Sequence, residues 1–74
     1  MDREERLKLQ LTERVMQEFK TSGWTPTVAA HALDERDSLI YAVFKFEVKK
    51  YSTKKLIGIL EKLGFEFEIK LTKI

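Results

Sequence analysis

Hydrophobic residues recur at every fourth position in the first part of the chain. They are Leu7, Leu11, Val15 and Phe19, with Met16 beside them, and the opposite positions are mostly charged. This spacing puts apolar side chains on one side of a helix and charged ones on the other. Lys20 suits the negative end of the helix dipole, and Gly23 favours the left-handed backbone that commonly ends a helix. The pattern predicts an N-terminal helix over residues 1–22.

Residues 24–46 predict a helix-turn-helix, two short helices joined by a tight turn. The hydroxyl of Thr25 can cap the first helix, and Pro26 fits the first helical position, where its missing N–H is not needed. The expected apolar residues of this helix are Val28, Ala29, Ala30 and Leu33. Because Ala30 is small, the second helix can cross close to the first. Asp34 follows, and an aspartate adopts the left-handed conformation of a turn at modest cost.

The second helix of this pair competes with a strand. It is expected to begin near Asp37 or Ser38, which are both capping residue types. Its apolar face would consist of Ile40, Val43 and Phe44. From Phe44 onward, however, the apolar residues Phe44, Phe46 and Val48 alternate with charged ones, a pattern typical of a strand. We expect a helix to about Lys45 and then an extended linker with Val48 turned toward the core; a strand over residues 39–49 is the alternative.

A fourth helix is predicted over residues 52–64. Ser52 is a candidate N-cap, and Gly64 is a candidate for the residue that ends the helix. The helix would bury its apolar residues Leu56, Ile57, Ile59, Leu60 and Leu63. Gly58 in its middle costs about 1 kcal/mol relative to alanine. We therefore expect another element to pack closely against Gly58.

Apolar and charged residues alternate along residues 65–73, which predicts a C-terminal strand. A single strand cannot satisfy its own backbone hydrogen bonds. Two copies could pair these strands in a homodimer, with an interface formed by Phe65, Phe67, Ile69 and Leu71. The predicted fold is then one mainly α domain, residues 1–74, with a C-terminal strand. The alternative is an α+β fold in which residues 39–49 pair with residues 65–73 inside one chain.

The composition limits the possible classes of function. A chain of 74 residues with 43% hydrophobic and 35% charged residues fits one small globular domain. It has no cysteine and one histidine, which excludes a disulfide framework, a zinc site and a histidine-based catalytic triad. The sequence also lacks a phosphate-binding loop and an activated nucleophile. We expect no enzyme activity, catalytic residue, metal, cofactor or small-molecule substrate.

Charge is unevenly distributed around the second helix of the pair, although the net charge is only +2. Positive charge is concentrated at and beyond its end, in Lys45, Lys49, Lys50, Lys54 and Lys55, with Glu47 among them. Negative charge is concentrated at its start, in Asp34, Glu35 and Asp37, next to the base Arg36. A DNA backbone attracts the lysines and repels the three carboxylates.

The spacing of Pro26, Ala30, Asp34, Ile40 and Val43 resembles that of the small Cro-like (XRE) helix-turn-helix proteins, most of all their short HigA-type antitoxin branch. The resemblance extends through Tyr51-Ser52, Leu56, Ile57, Leu60 and Leu63-Gly64 to residues 65–71. The family usually has Gln at the position of Pro26 and Gly at that of Asp34. It usually opens the recognition helix with Ser-Gln-Pro-Arg or similar, where this chain has Arg36-Asp37-Ser38-Leu39. The framework therefore agrees, and the recognition helix is atypical.

The resemblance implies a small bacterial or phage-encoded transcriptional regulator, in its narrower form an antitoxin-type repressor, that acts as a homodimer. No apolar stretch approaches the ~20 residues that a membrane span needs, and the charged N-terminus is unlike a signal peptide. We expect a cytoplasmic protein without membrane contact. Its partner would be double-stranded DNA or another protein.

Two functions are open at this point. In a DNA-binding regulator, Arg36, Ser38, Tyr41 and Ala42 would face base edges, and Lys45, Lys49 and Lys50 would contact phosphates. In the alternative, a degenerate helix-turn-helix binds another protein, as a phage or mobile-element inhibitor or an adaptor would. Leu39, Tyr41, Phe46 and Tyr51 would then be interface anchors. Both functions use the same candidate site, which comprises Arg36, Asp37, Ser38, Tyr41, Ala42, Lys45, Lys49 and Lys50.

Overall fold

A computed structural model describes residues 2–66 of the protein as four α-helices and one turn of 3-10 helix. The helices are α1 (Arg3–Ser22), α2 (Pro26–Leu33), α3 (Asp37–Phe44) and α4 (Thr53–Lys62), and the 3-10 turn is Val48–Lys50. Within residues 2–66 there is no strand. The prediction of a mainly α fold is confirmed, and the competing strand over residues 39–49 is wrong. Apart from Phe65 and Glu66, the predicted C-terminal strand lies outside the described residues.

Side-chain caps fix the start of three of these helices. The hydrogen bonds run from the Glu5 amide to Asp2, from the Val28 amide to Thr25 and from the Lys55 amide to Ser52. Each provides an acceptor for an N–H that has no partner inside its helix. α3 differs, since its N-cap is Arg36 and no side chain caps it. α3 begins at Asp37, as predicted, but neither Asp37 nor Ser38 caps it. The Asp37 carboxylate instead suits the first turn of the helix dipole.

The four described helices end alike, each followed by a residue with positive φ. These residues are Gly23 (φ 69°), Asp34 (φ 53°), Phe46 (φ 56°) and Gly64 (φ 98°). In every case the next amide bonds to a carbonyl five residues earlier: Trp24 to Phe19, Glu35 to Ala30, Glu47 to Ala42 and Phe65 to Leu60. This is the Schellman arrangement, which satisfies carbonyls that the helix leaves unpaired. The sequence predicts three of these ends, and the fourth, at Phe46, places an aromatic residue in an unfavourable conformation.

Phe19 lies at the centre of the core. Its ring stacks on Phe44 at 5.3 Å between centroids and lies 5.9 Å from the ring of Trp24. The other residues with no exposed surface include Val15, Ala29, Ile40, Val43, Leu56 and Ile59. All four helices contribute to this set, and α1 packs mainly against α4 while α2 packs against α3. Ala30 is also buried, at 2% exposure, as expected for a small residue where two helices cross.

The linker after α3 folds back on α1 instead of extending. Val48 packs partly against the core, as predicted, but it does so in the 3-10 turn. Tyr51 is buried, and its hydroxyl lies 2.8 Å from the Thr12 hydroxyl. Burial raises the pKa of Tyr51 despite this hydrogen bond, so the phenol stays neutral. The expectation that Tyr51 is a surface anchor is therefore wrong, because its side chain belongs to the core.

Gly58 lies inside α4 without a close neighbour. A Cβ added there would meet no described atom within 4 Å, so the expectation of close packing is wrong. Gly58→Ala should raise the free energy of unfolding by about 0.5–1 kcal/mol, because alanine loses less backbone entropy in a helix. The urea midpoint of the two proteins measures this. A lower midpoint for the alanine variant would contradict the open space at this position.

None of the helices in residues 2–66 combines the length and the hydrophobicity needed to cross a membrane.

Candidate nucleic-acid interface

α2 and α3 are two short helices joined by a tight turn at residues 34–36. α2 and α3 have eight residues each. Ala30 of α2 and Ile40 and Val43 of α3 are buried, so these three positions fix how the two helices pack. The side of α3 that faces away from the core exposes Asp37, Ser38, Tyr41 and, just past its end, Lys45. The buried framework thus holds one face of α3 at the protein surface.

Seven of the eight predicted site residues are exposed, and Ala42 is the exception. The exposed residues are Arg36, Asp37, Ser38, Tyr41, Lys45, Lys49 and Lys50. The Ala42 side chain is only 5% exposed and lies in a groove between α3 and the start of α4. Ala42 is therefore far less available to a base edge than the other seven predicted residues.

The groove beside Ala42 brings together only some of the predicted residues. Its walls include Arg36, Ser38 and Leu39 from the start of α3 and Lys50, Ser52 and Lys55 from the linker and α4. Tyr41, Lys45 and Lys49 do not line it. The exposed face of α3 and this polar groove are therefore neighbouring but distinct parts of the candidate surface.

Glu35, one of the three acids around the start of α3, is paired inside the protein and largely buried. Its carboxylate accepts hydrogen bonds from Lys62 at 2.7 Å and Lys55 at 3.2 Å, and its side chain is 8% exposed. Lys62 also donates to the Leu33 carbonyl at 2.8 Å, at the end of α2. Burial disfavours the charged form of Glu35, but the two lysines outweigh it, and the pKa of this carboxyl lies below its ordinary value of 4.5. The cluster ties the turn between α2 and α3 to α4.

The pH dependence of stability tests this cluster. Because the folded state lowers the pKa of Glu35, its stabilising effect is fully present above the unfolded-state pKa and is lost as the pH falls through the folded-state pKa. Glu35→Gln should lower the free energy of unfolding by about 1–2 kcal/mol at pH 7. The difference from wild type should shrink as the pH falls below roughly 4.

Urea unfolding at several pH values provides the comparison for the Glu35 cluster. Glu18→Gln is the matched control, since Glu18 makes a more exposed pair with Arg14 at 3.6 Å. That substitution should change the free energy of unfolding by less than about 0.5 kcal/mol. A gap between wild type and Glu35→Gln that stays constant from pH 7 to pH 3 would show that the Glu35 charge is not responsible.

The lysines after α3 fall into two groups. Lys50 pairs with Glu47 at 3.0 Å, and Lys55 pairs with Glu35. Lys45, Lys49 and Lys54 are exposed and make no ion pair within residues 2–66. These three cations are the ones whose charge is available to an outside anion without first breaking an internal pair.

α2 adds residues to the candidate surface that the sequence did not indicate. Val28, one of the predicted apolar residues of α2, is 48% exposed, and Tyr41 is 44% exposed. The hydroxyls of Thr27 and Tyr41 lie 3.5 Å apart, so the start of α2 adjoins the exposed face of α3. The burial of Ala29, Ala30 and Leu33 turns Val28 outward. The spacing of the apolar residues in α2 does not indicate that Val28 is the one left exposed.

No protein-family model, curated protein or solved structure matches this chain. The resemblance to XRE-type helix-turn-helix proteins therefore stays a prediction, and the function must be argued from the residues and their geometry.

Proposed function

We propose that the protein is a small DNA-binding transcriptional regulator that inserts α3 into the major groove. The observation that carries this proposal is the pair of short packed helices α2 and α3, which has the element order of a helix-turn-helix. Two helices of eight residues flank a short turn that begins at Asp34 with φ 53°, and buried residues fix their packing. In DNA-binding proteins built this way, the second helix enters the groove and the first crosses the backbone.

The exposed side chains of α3 suit the base edges of a major groove. Ser38 and Tyr41 offer hydroxyls, which can donate to or accept from bases, and Arg36 offers a guanidinium that can bind guanine in a bidentate manner. Lys45, Lys49 and Lys54 are the proposed phosphate contacts. Lysines on the flanks of an inserted helix set the register of the protein on DNA.

Internal pairing of Glu35 reduces the repulsion between the acids around α3 and the phosphates of DNA. Of the three acids around the start of α3, Glu35 is neutralised by Lys55 and Lys62, while Asp34 and Asp37 remain exposed. Asp37 lies in the first turn of α3, so it would face DNA and weaken binding through repulsion of phosphates. Contact between Asp37 and a cytosine amino group would offset that repulsion and favour particular sequences.

A protein partner is the second candidate, and the pair of exposed apolar side chains favours it. Val28 and Tyr41 are each more than two-fifths exposed, and Thr27 lies beside them. Tyrosine is enriched at the energetic centres of protein interfaces. The narrower proposal of an antitoxin-type repressor rests on the sequence resemblance alone.

Fluorescence anisotropy with a labelled duplex separates the two candidates. The duplexes are mixed-sequence DNA and the protein's own promoter, each at about 50 mM and 150 mM salt. A DNA-binding regulator should bind both at low salt and the promoter more tightly. Asp37→Asn should then strengthen binding to mixed-sequence DNA several-fold, whereas the control Glu18→Gln, which also removes one negative charge, should change it little.

A protein-binding function predicts a different outcome in the same assay. Wild type and Asp37→Asn should then show no binding to either duplex at about 50 mM salt, where DNA-binding domains retain sequence-independent affinity. That result would overturn the proposal.

A further inference from the structure

An apolar groove lies where α1 meets Trp24 and the end of α3. Its floor is formed by Met16, Trp24, Phe44 and Phe46, and Glu13, Gln17 and Lys20 line its α1 side. We call it the aromatic groove. It is separate from the polar groove beside Ala42, with which it shares no residue.

Phe46 is placed in this groove against two local preferences. Its backbone is left-handed, with φ 56°, and its aromatic side chain is 39% exposed. Glycine would suit the end of α3 better, and a polar residue would suit water better. Non-glycine residues held in this conformation are concentrated at functional sites, where the strain is compensated by other interactions. A surface that covers the ring would provide such compensation.

The charges along α1 at the groove are self-complementary. Glu13 and Lys20 are seven residues apart and lie on one face of α1, with Met16 between them. They are equally distant in sequence from the midpoint between Met16 and Gln17. If two copies of α1 pack antiparallel about a two-fold axis at this midpoint, Glu13 of each copy meets Lys20 of the other.

We propose that the aromatic groove is the interface of a symmetric homodimer and that its occupant is a second copy of this chain. A two-fold interface requires one patch to be complementary to itself, and the Glu13 and Lys20 arrangement meets this requirement with two equivalent ion pairs. The apolar floor supplies burial, and the charges fix the antiparallel register. This interface is distinct from the C-terminal strand pairing expected from the sequence. It does not depend on DNA binding, since association is measured on the protein alone.

Sedimentation equilibrium with charge-reversal variants tests the proposal. The protein concentration runs from about 5 to 500 μM, which spans the Kd of a weak dimer. Wild type should dimerise. Glu13→Lys and Lys20→Glu should each raise the dimer Kd at least tenfold, because each places like charges together twice. The double variant Glu13→Lys/Lys20→Glu has the wild-type net charge and reversed pairs, so it should recover most of the affinity. An equimolar mixture of the two single variants should form heterodimers.

Phe46→Gly provides a test because it should weaken the dimer without destabilising the folded monomer. It removes an apolar ring from the interface and relieves the left-handed backbone. We expect an equal or higher urea midpoint for the monomer, together with a dimer Kd at least tenfold higher than that of wild type. Circular dichroism checks that every variant keeps its helices.

Three results would overturn the proposal. One is a wild-type protein that stays monomeric at 500 μM. Another is a dimer whose Kd is the same in wild type, both single charge variants and the double variant. The third is a dimer that survives all the groove variants but is lost in Phe67→Lys, which would assign the interface to the C-terminal segment.

Discussion

Phe19→Ala is expected to lower the free energy of unfolding by about 3–5 kcal/mol, the range found for truncation of a buried phenylalanine. Phe19 is completely buried and stacks on Phe44, and Trp24 covers it from the end of α1. Its removal leaves a cavity where α1 meets α3. A domain of this size has a total stability of only about 5 kcal/mol, so the variant should be largely unfolded at 25 °C.

Urea unfolding followed by helical circular dichroism measures the effect of Phe19→Ala. Val28→Ala is the control, because Val28 is 48% exposed and its truncation should change stability by no more than about 0.5 kcal/mol. A loss below about 1 kcal/mol for Phe19→Ala would contradict its place at the centre of the core.

The second large effect concerns the three lysines of the candidate interface that make no ion pair within residues 2–66. Replacing Lys45, Lys49 and Lys54 together with alanine should lower affinity for mixed-sequence DNA by on the order of 100-fold at about 50 mM salt. It should also reduce the slope of log affinity against log salt by about 2.7, because each lost phosphate contact removes about 0.9. Anisotropy titrations over a range of salt concentrations give both quantities.

A matched variant controls for the loss of three positive charges. It replaces Arg3, Arg6 and Arg14 on α1 with alanine, and all three arginines are exposed. This variant should change the salt slope by much less than the lysine variant. Equal effects of the two triple variants would mean that net charge, and not the surface around α3, governs DNA affinity.

The helix boundaries were predictable where the signals are local. Thr25 and Ser52 cap the amides three residues ahead of them, and Gly23 and Gly64 supply the positive φ that ends a helix. Asp34 does the same in the turn between α2 and α3. Each of these interactions spans no more than six residues, so the residue types alone contain the information.

The segment after Ser38 was ambiguous because its composition favours a strand while its spacing also fits a helix. Packing decides the outcome: Ile40 and Val43 are fully buried as one helical face, and Phe44 stacks on Phe19. The left-handed end at Phe46 could not be foreseen, since aromatic residues seldom adopt it. Tertiary contacts override the local preference here.

The candidate site was predictable in outline but not in its electrostatics. The partners of Glu35 lie 20 and 27 residues away in the sequence, so no local pattern indicates that this acid is neutralised. For the same reason the sequence did not distinguish Lys55, which pairs with Glu35, from Lys54, which has no ion pair in the described part of the chain. The burial of Ala42 and Tyr51 likewise depends on how the linker folds back onto α1 and α3.

A titration of the ¹⁵N-labelled protein with a mixed-sequence duplex at about 50 mM salt tests most directly whether α3 binds DNA. We predict that the largest amide shift changes fall on Arg36, Ser38, Tyr41 and Lys45, with smaller ones on Lys49 and Lys54, and that all of them diminish as salt is added. Saturating duplex that leaves these amides unchanged, or that shifts only residues of α1, would contradict the account.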